Sequence, residues 1–180
     1  MDRLTIAHPL EGMARLILRE GVVSVVEHSL LLELRGRPAV LAQHFPGLLP
    51  VQPNRSVAHD TWRAAWLRPN TWLVSGSEEV RGQRWAEVLR AQEGGLCRLT
   101  DVAHARVCLR LPRVAGSLVL AKGTPLDLRP SRFGPGQCAQ TWCAGFAVLL
   151  DCGTAGIDVY VDVSLAVAFW NWLSDAALGV

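Results

Sequence analysis

No run of about 18 uninterrupted apolar residues occurs in this chain, which leaves no ordinary transmembrane helix to propose. The opening MDRLTIAHPLEG lacks the charged, apolar and small-residue order of a secretory leader, so a cytoplasmic address is expected and no membrane partner. Clustered basic charge is missing too. The 18 Lys and Arg are interleaved with 16 Asp and Glu for a net charge of +2, and no RNP-like aromatic motif accompanies them. Nucleic acid is therefore not an expected partner.

Motifs for metal and for catalysis are equally scarce. Cys97, Cys108, Cys138, Cys143 and Cys152 form no CxxC pair, and Cys138 and Cys143 flank Trp142 at a spacing that does not suit a zinc knuckle. Buried free thiols are expected, because cysteine behaves as a small hydrophobe in a reducing compartment. His8, His28, His44, His59 and His104 are dispersed and belong to no HExxH, so no metal site is expected. No GxGxxG opens a helix after a strand, and Gly134-Pro135-Gly136 reads as a turn. There is no GxSxG elbow, P-loop or kinase set. His28 and Ser29 are chain neighbours, so on a strand they point to opposite faces.

What the chain does have is apolar bulk. Half of its residues are hydrophobic and 19% are charged, where about a quarter is usual for a soluble domain. Seven Trp accompany a single Tyr, and Trp brings large contact area to cores and to interfaces. The pattern fits a chain with part of its surface covered by another protein.

In chain order, residues 1–20 read as an N-terminal arm. Val22–Val26 and Leu30–Leu34 carry strand-forming runs. Pro38 opens a short helix through Phe45, and residues 48–60 form an irregular connection. Trp62–Arg68 and Thr71–Gly76, around Pro69-Asn70, predict a hairpin. Ser77-Glu78-Glu79 then starts a helix carrying Trp85 to Gln92. The order recurs after Gly95: strand material at 96–111, a helix at 114–122, and a Pro-rich connection at 124–135. A hairpin follows, with arms 140–150 and 157–163, and a last helix capped by Ser164 carries Trp170 and Trp172. The fold expected is α+β: a duplicated unit of antiparallel sheet with helices packed on it, halves 1–95 and 96–180, in one compact domain.

Four segments carry a specific resemblance: WLRPNTWLVSG at 66–76, LTDVAHARVCLRL at 99–111, LAKGTPLDLRPSRFGPGQCAQT at 120–141 and VDVSLAVAFWNWL at 161–173. Taken in register, they are similar to the gamma subunit family of heterotetrameric sarcosine oxidase. That family in turn resembles the folate-binding domain of the glycine-cleavage T-protein. The resemblance implies a complex of four different subunits that demethylates sarcosine oxidatively to glycine, passes the carbon to tetrahydrofolate and yields hydrogen peroxide. It implies alpha, beta and delta subunits as partners. It also implies that FAD, FMN, NAD, zinc and tetrahydrofolate sit on those other chains, with no catalytic residue and no cofactor on this one. Two alternatives stand beside it: the equivalent subunit of a related N-methyl amino acid dehydrogenase, and a stand-alone folate-binding or regulatory module.

Two sets of residues are singled out. Asp101 falls where T-protein-like chains carry an Asp-x-Ser signature near folate, but here Ala103 replaces the serine. The resemblance offers a folate contact, and the residue type offers a carboxylate that closes a turn. Arg129, Arg132 and Phe133 precede the Gly-Pro-Gly turn, with Trp142 and Phe146 after it on one expected strand face. Arg and aromatic side chains are the composition of interface hot spots, while core packing would explain the aromatics equally well.

Overall fold

A computed structural model describes residues 8–13, 15–19, 21–44, 47, 49–59, 62–76 and 92–180. Its first sheet begins with β4 (Leu30–Gly36), whose alternate side chains Leu30, Leu32 and Leu34 are all buried on one face. Pro38, with no N–H to lose, starts α1 (Pro38–His44), and the chain returns as β5 (Ser56–His59). The hairpin β6 (Trp62–Arg68) and β7 (Thr71–Gly76) closes through Pro69-Asn70, where Asn70 takes a left-handed φ of 62°. Its arms match the hairpin expected from the sequence. The segment expected to be irregular instead contains β5, which is held by pairing to β6 through Ser56–Ala65 and His59–Trp62. The expected helix carrying Trp85 lies outside the described residues.

The second sheet repeats this plan. It runs from β9 (Arg106–Leu111) through α2 (Arg113–Leu120) to β10 (Gln137–Cys143), β11 (Phe146–Cys152) and β12 (Ile157–Asp162). The expected continuous arm at 140–150 is split, because Ala144 and Gly145, at φ 51° and 85°, form a tight two-residue turn between β10 and β11. After β12 a 3-10 turn, Val163–Leu165, leads into α3 (Ala166–Ala177). The cap at this junction is Asp162, which accepts from the Ser164 N–H at 2.9 Å, rather than Ser164 as expected.

Strand orders in the two sheets correspond. The first runs β5-β6-β7-β4-β8, where β8 is Cys97–Asp101, and the second runs β10-β11-β12-β9-β3, where β3 is Ser24–Val25. Every pairing among the described residues is antiparallel. The outer strands are exchanged: β3, early in the chain, pairs with β9, while β8, later in the chain, pairs with β4. Each sheet is thus completed by a strand from across the chain. A ribbon of β1 (Ile17–Leu18) and β2 (Gly21–Val22) lies in the arm.

Three apolar layers follow from strand alternation. Leu31, Ala65, Leu67 and Leu73 of the first sheet meet Cys108, Cys138, Leu149 and Tyr160 of the second. On the far side of the second sheet, Leu109, Leu150, Val159 and their neighbours pack on Val119 of α2 and on Phe169 and Leu173 of α3. On the far side of the first sheet, Leu34 and Trp72 cover Leu41 of α1. The α+β expectation, antiparallel sheets with helices packed on them, holds.

Gly156 makes the β11–β12 turn possible. A Cβ there would lie 2.3 Å from the Leu111 carbonyl oxygen, a backbone atom of the neighbouring strand. Gly156→Ala is expected to cost about 2 to 3 kcal/mol through forced backbone displacement. A fall in the urea midpoint by pulse proteolysis would register it.

Candidate functional site

The most polar part of the interior lies between the sheets. On β11, Leu150 and Cys152 face the helices, so Asp151 faces the first sheet and is 1% exposed. Arg63 of β6 reaches it from the opposite sheet, with Nη2 2.7 Å from Oδ1 and Nε bonded to Oδ2. Ser56 donates to Oδ1 at 2.6 Å, and Arg63 Nη2 also donates to the Ser56 hydroxyl and to the Cys152 carbonyl, each at 2.8 Å. Burial alone would lower the Arg63 pKa, but the hydrogen bond and charge of Asp151 outweigh it and raise it.

A second pair lies alongside. Arg110 donates to Asp158 from Nε at 2.6 Å and from Nη2 at 2.7 Å, a two-point fork that raises its pKa. The His28 ring stacks on Tyr160 at 5.7 Å, with Nε2 3.3 Å from the hydroxyl. Burial pulls His28 down and Tyr160 well up, so both are held neutral. An open cleft of about 400 Å³ is bordered by His28, Trp62, Arg63, Arg110 and Asp158. Two of its arginines are met by carboxylates, Arg63 by Asp151 and Arg110 by Asp158, and Glu27 lines it as well. The Arg63–Asp151–Ser56 network fastens the two sheets together, while Arg110 and Asp158 tie β9 to β12 within the second.

Asp101 ends β8 on an exposed corner, where its Oδ1 accepts from the Ala103 N–H at 2.9 Å. This is the turn-closing use of the carboxylate. The five cysteines are free, and all but Cys97 are buried. Burial pushes the Cys138 thiol up to about 12 and Cys143 up to about 11, so neither forms thiolate near neutrality. Brief iodoacetamide treatment of the native protein at pH 8 is expected to label Cys97 alone among the five. Peptide mass spectrometry would read it, and unfolding would open the rest. No group of three His, Cys, Asp or Glu among the described residues is placed to hold a metal.

The residues proposed for an interface separate. Arg129 is exposed but locked onto Asp127, with Nε 2.8 Å from Oδ1, and this hydrogen bond holds the Asp127 carboxyl down to about 2. Arg132 is exposed beside it. Phe133 is buried, 5% exposed, and belongs to the helix-side core, so its ring offers no contact surface. Trp142 and Phe146 do not share a face. The Ala144-Gly145 turn pairs Trp142 with Ala147 and Phe146 with Cys143, which sets the two aromatics on opposite sides of the hairpin. Phe146 packs edge-on against Phe169 at 5.5 Å, whereas Trp142 is 65% exposed. Arg106 and Gln140, not singled out from the sequence, line a cleft of about 270 Å³ with Trp142 and Ala147. The signal for them was the two-residue turn, which would have put 140, 142 and 147 on one face.

Two antiparallel sheets joined face to face, with α1 packed on the first and α2 and α3 on the second, define an α+β fold built from two matching sheet units. The chain matches the sarcosine oxidase, gamma subunit family over residues 37–179 and belongs to that family. It is 30% identical over 112 residues to sarcosine oxidase subunit gamma of Corynebacterium sp. (strain U-96), an alignment covering 62% of this chain and 54% of that protein. The chain thus spans about half the length of this curated relative. Its fold is similar to that of a chain in the heterotetrameric sarcosine oxidase from Corynebacterium sp. U-96 in complex with pyrrole 2-carboxylate. There the TM-score is 0.82 at 24% identity over 96% of this chain and 94% of that one. It also resembles the glycine cleavage system aminomethyltransferase T from Bartonella henselae, with a TM-score of 0.59 at 16% identity over 84% of this chain and 44% of that one.

Proposed function

We propose that this chain is a non-catalytic subunit of a heterotetrameric oxidase that demethylates sarcosine to glycine and passes the released carbon to tetrahydrofolate. The observation that carries this reading is the family match across residues 37–179. The polar band supports it, since Arg63 is consumed in joining the two sheets through Asp151, and Arg110 in pairing β9 with β12 through Asp158. On this reading the partners are the alpha, beta and delta subunits, which hold FAD, FMN, NAD, zinc and tetrahydrofolate, and the address is cytoplasmic. No helix among the described residues is long and apolar enough to cross a membrane. The same reading takes residues 1–95 and 96–180 as pseudo-equivalent halves of one domain, supported by the matching strand orders and the reciprocal exchange of β3 and β8. Arg129, Arg132 and Trp142 are proposed as contact surface.

Expression of a tagged chain alone and together with the other three subunits tests the proposal. Aggregation of the lone chain, rescue on co-expression and co-purification with sarcosine-oxidising activity are expected. A monodisperse lone chain that retrieves no other subunit would overturn the reading.

A further inference from the structure

Antiparallel register carries one row of side chains across four neighbouring strands of the first sheet, β6, β7, β4 and β8. Arg68 of β6 pairs with Thr71 of β7, Thr71 with Arg35 of β4, and Arg35 with Arg98 of β8. Residues directly opposite one another project from the same face, so Arg35 and Arg98 stand side by side. Alternation along β4 puts Arg35 on the face of Leu31 and Glu33, the one that Leu31 packs toward the second sheet. A register shift after Trp66 brings Arg68 opposite Thr71, and its hydrogen bond to Glu33 places its guanidinium on that face too. The row lies at the strand ends beside the Pro69-Asn70 turn, where Arg35, Arg68 and Arg98 are all exposed.

One acid faces this row. Glu33, two residues before Arg35, lies between Leu73 of β7 and Thr100 of β8, and its Oε1 accepts from Arg68 Nη2. Asp101 of β8 is in register with Leu32, one residue out of step, and so projects from the opposite face. Among the described residues no carboxylate is hydrogen-bonded or ion-paired to Arg35 or Arg98. Three positive charges thus meet one negative charge. Like charges directly opposite each other destabilise a sheet, and none of the described contacts offsets that cost at Arg35 and Arg98.

We propose that Arg35 and Arg98 form a docking point for an acidic segment of another subunit, whose carboxylates accept forked hydrogen bonds from the two guanidinium groups. This rests on the proposed role as a subunit. Arg68 is already engaged by Glu33, so the uncompensated charge sits at β4 and at β8, the edge strand of its sheet. Charge decides between the candidate occupants. A two-fold contact between copies centred on this row would set arginine against arginine. A free anion on so exposed a row would stay in water, where its attraction to the two charges is weak. A protein surface laid over the row excludes water and strengthens each pair.

The test uses the co-expressed four-subunit complex. Arg35→Glu together with Arg98→Glu sets carboxylates against carboxylates and is expected to reduce the chain co-purified with a tagged partner about tenfold or more. Arg35→Lys together with Arg98→Lys keeps the charge without the fork and is expected to assemble in lower yield. Carbodiimide, which joins an amine to a carboxylate in contact with it, is then expected to link residue 35 or 98 to an Asp or Glu of another subunit. Peptide mass spectrometry would identify the link. Full assembly of the doubly reversed chain overturns the docking point while leaving the subunit role intact, as does an assembled Lys-substituted complex with no link beyond this chain. Links between two copies of this chain overturn the choice of occupant. A wild-type chain that never assembles overturns both proposals.

Discussion

Asp151→Ala is expected to destabilise the chain by about 3 to 5 kcal/mol, the scale for removing one partner of a buried ion pair. The reason lies in what remains. Arg63 stays between the sheets with its guanidinium facing the space the carboxylate filled, and Ser56 loses the acceptor of its hydroxyl. Two of the three elements in this network, β5 and β6, belong to the first sheet and the third, β11, to the second. Losing it therefore unpins one sheet from the other. Asp151→Asn, which keeps one acceptor but no charge, is expected to cost less. The double change Arg63→Met with Asp151→Leu is expected to restore much of the loss, because a buried pair replaced by apolar groups is often neutral. Pulse proteolysis in urea on the co-expressed complex, read on this chain's band, would rank the three. Equal stability of wild type and Asp151→Ala would show that the pair fastens nothing.

That network was not legible in the sequence, and its spacing explains why. Arg63 and Asp151 are 88 residues apart, and nothing local to either indicates that β6 and β11 will face each other. The exchange of β3 and β8 was hidden for the same reason, since strand pairing across the chain leaves no mark on the residues nearby. Local features fared better. Pro69-Asn70 marked its hairpin because few residues besides Asn and Gly accept a left-handed φ. Ala144-Gly145 was missed because alanine seldom takes φ 51°, so the run from Gln140 to Leu150 looked continuous. Phe133 looked available because the segment before it has no periodicity, yet such a connection can drop one ring into the core. Resemblance supplied what periodicity did not: the family was readable from four segments.

Phe169→Ala is expected to cost about 3 to 5 kcal/mol, the usual range for emptying a buried aromatic site. Phe169 is 0% exposed on the inner face of α3, with Phe146 at 5.5 Å edge-on and Trp172 at 5.5 Å tilted. The surroundings have little freedom to close the gap. Trp172 lies over Gly123 so closely that a Cβ there would come within 2.6 Å of its ring, and Phe146 is fixed by its pairing with Cys143 at the hairpin end. A cavity that stays open places the cost toward the upper part of the range. The consequence reaches the end of β10, because Gly123 supplies the carbonyl that takes the Ala144 N–H at 2.8 Å. Loosening of Trp172 on Gly123 is expected to raise hydrogen exchange at Ala144 before the core strands β9 and β12 respond. Phe169→Leu, which refills most of the volume, should leave Ala144 protected. If Phe169→Ala instead leaves both the urea midpoint and the Ala144 amide unchanged, α3 does not hold the end of β10, and its pairing with β11 suffices to position the strand.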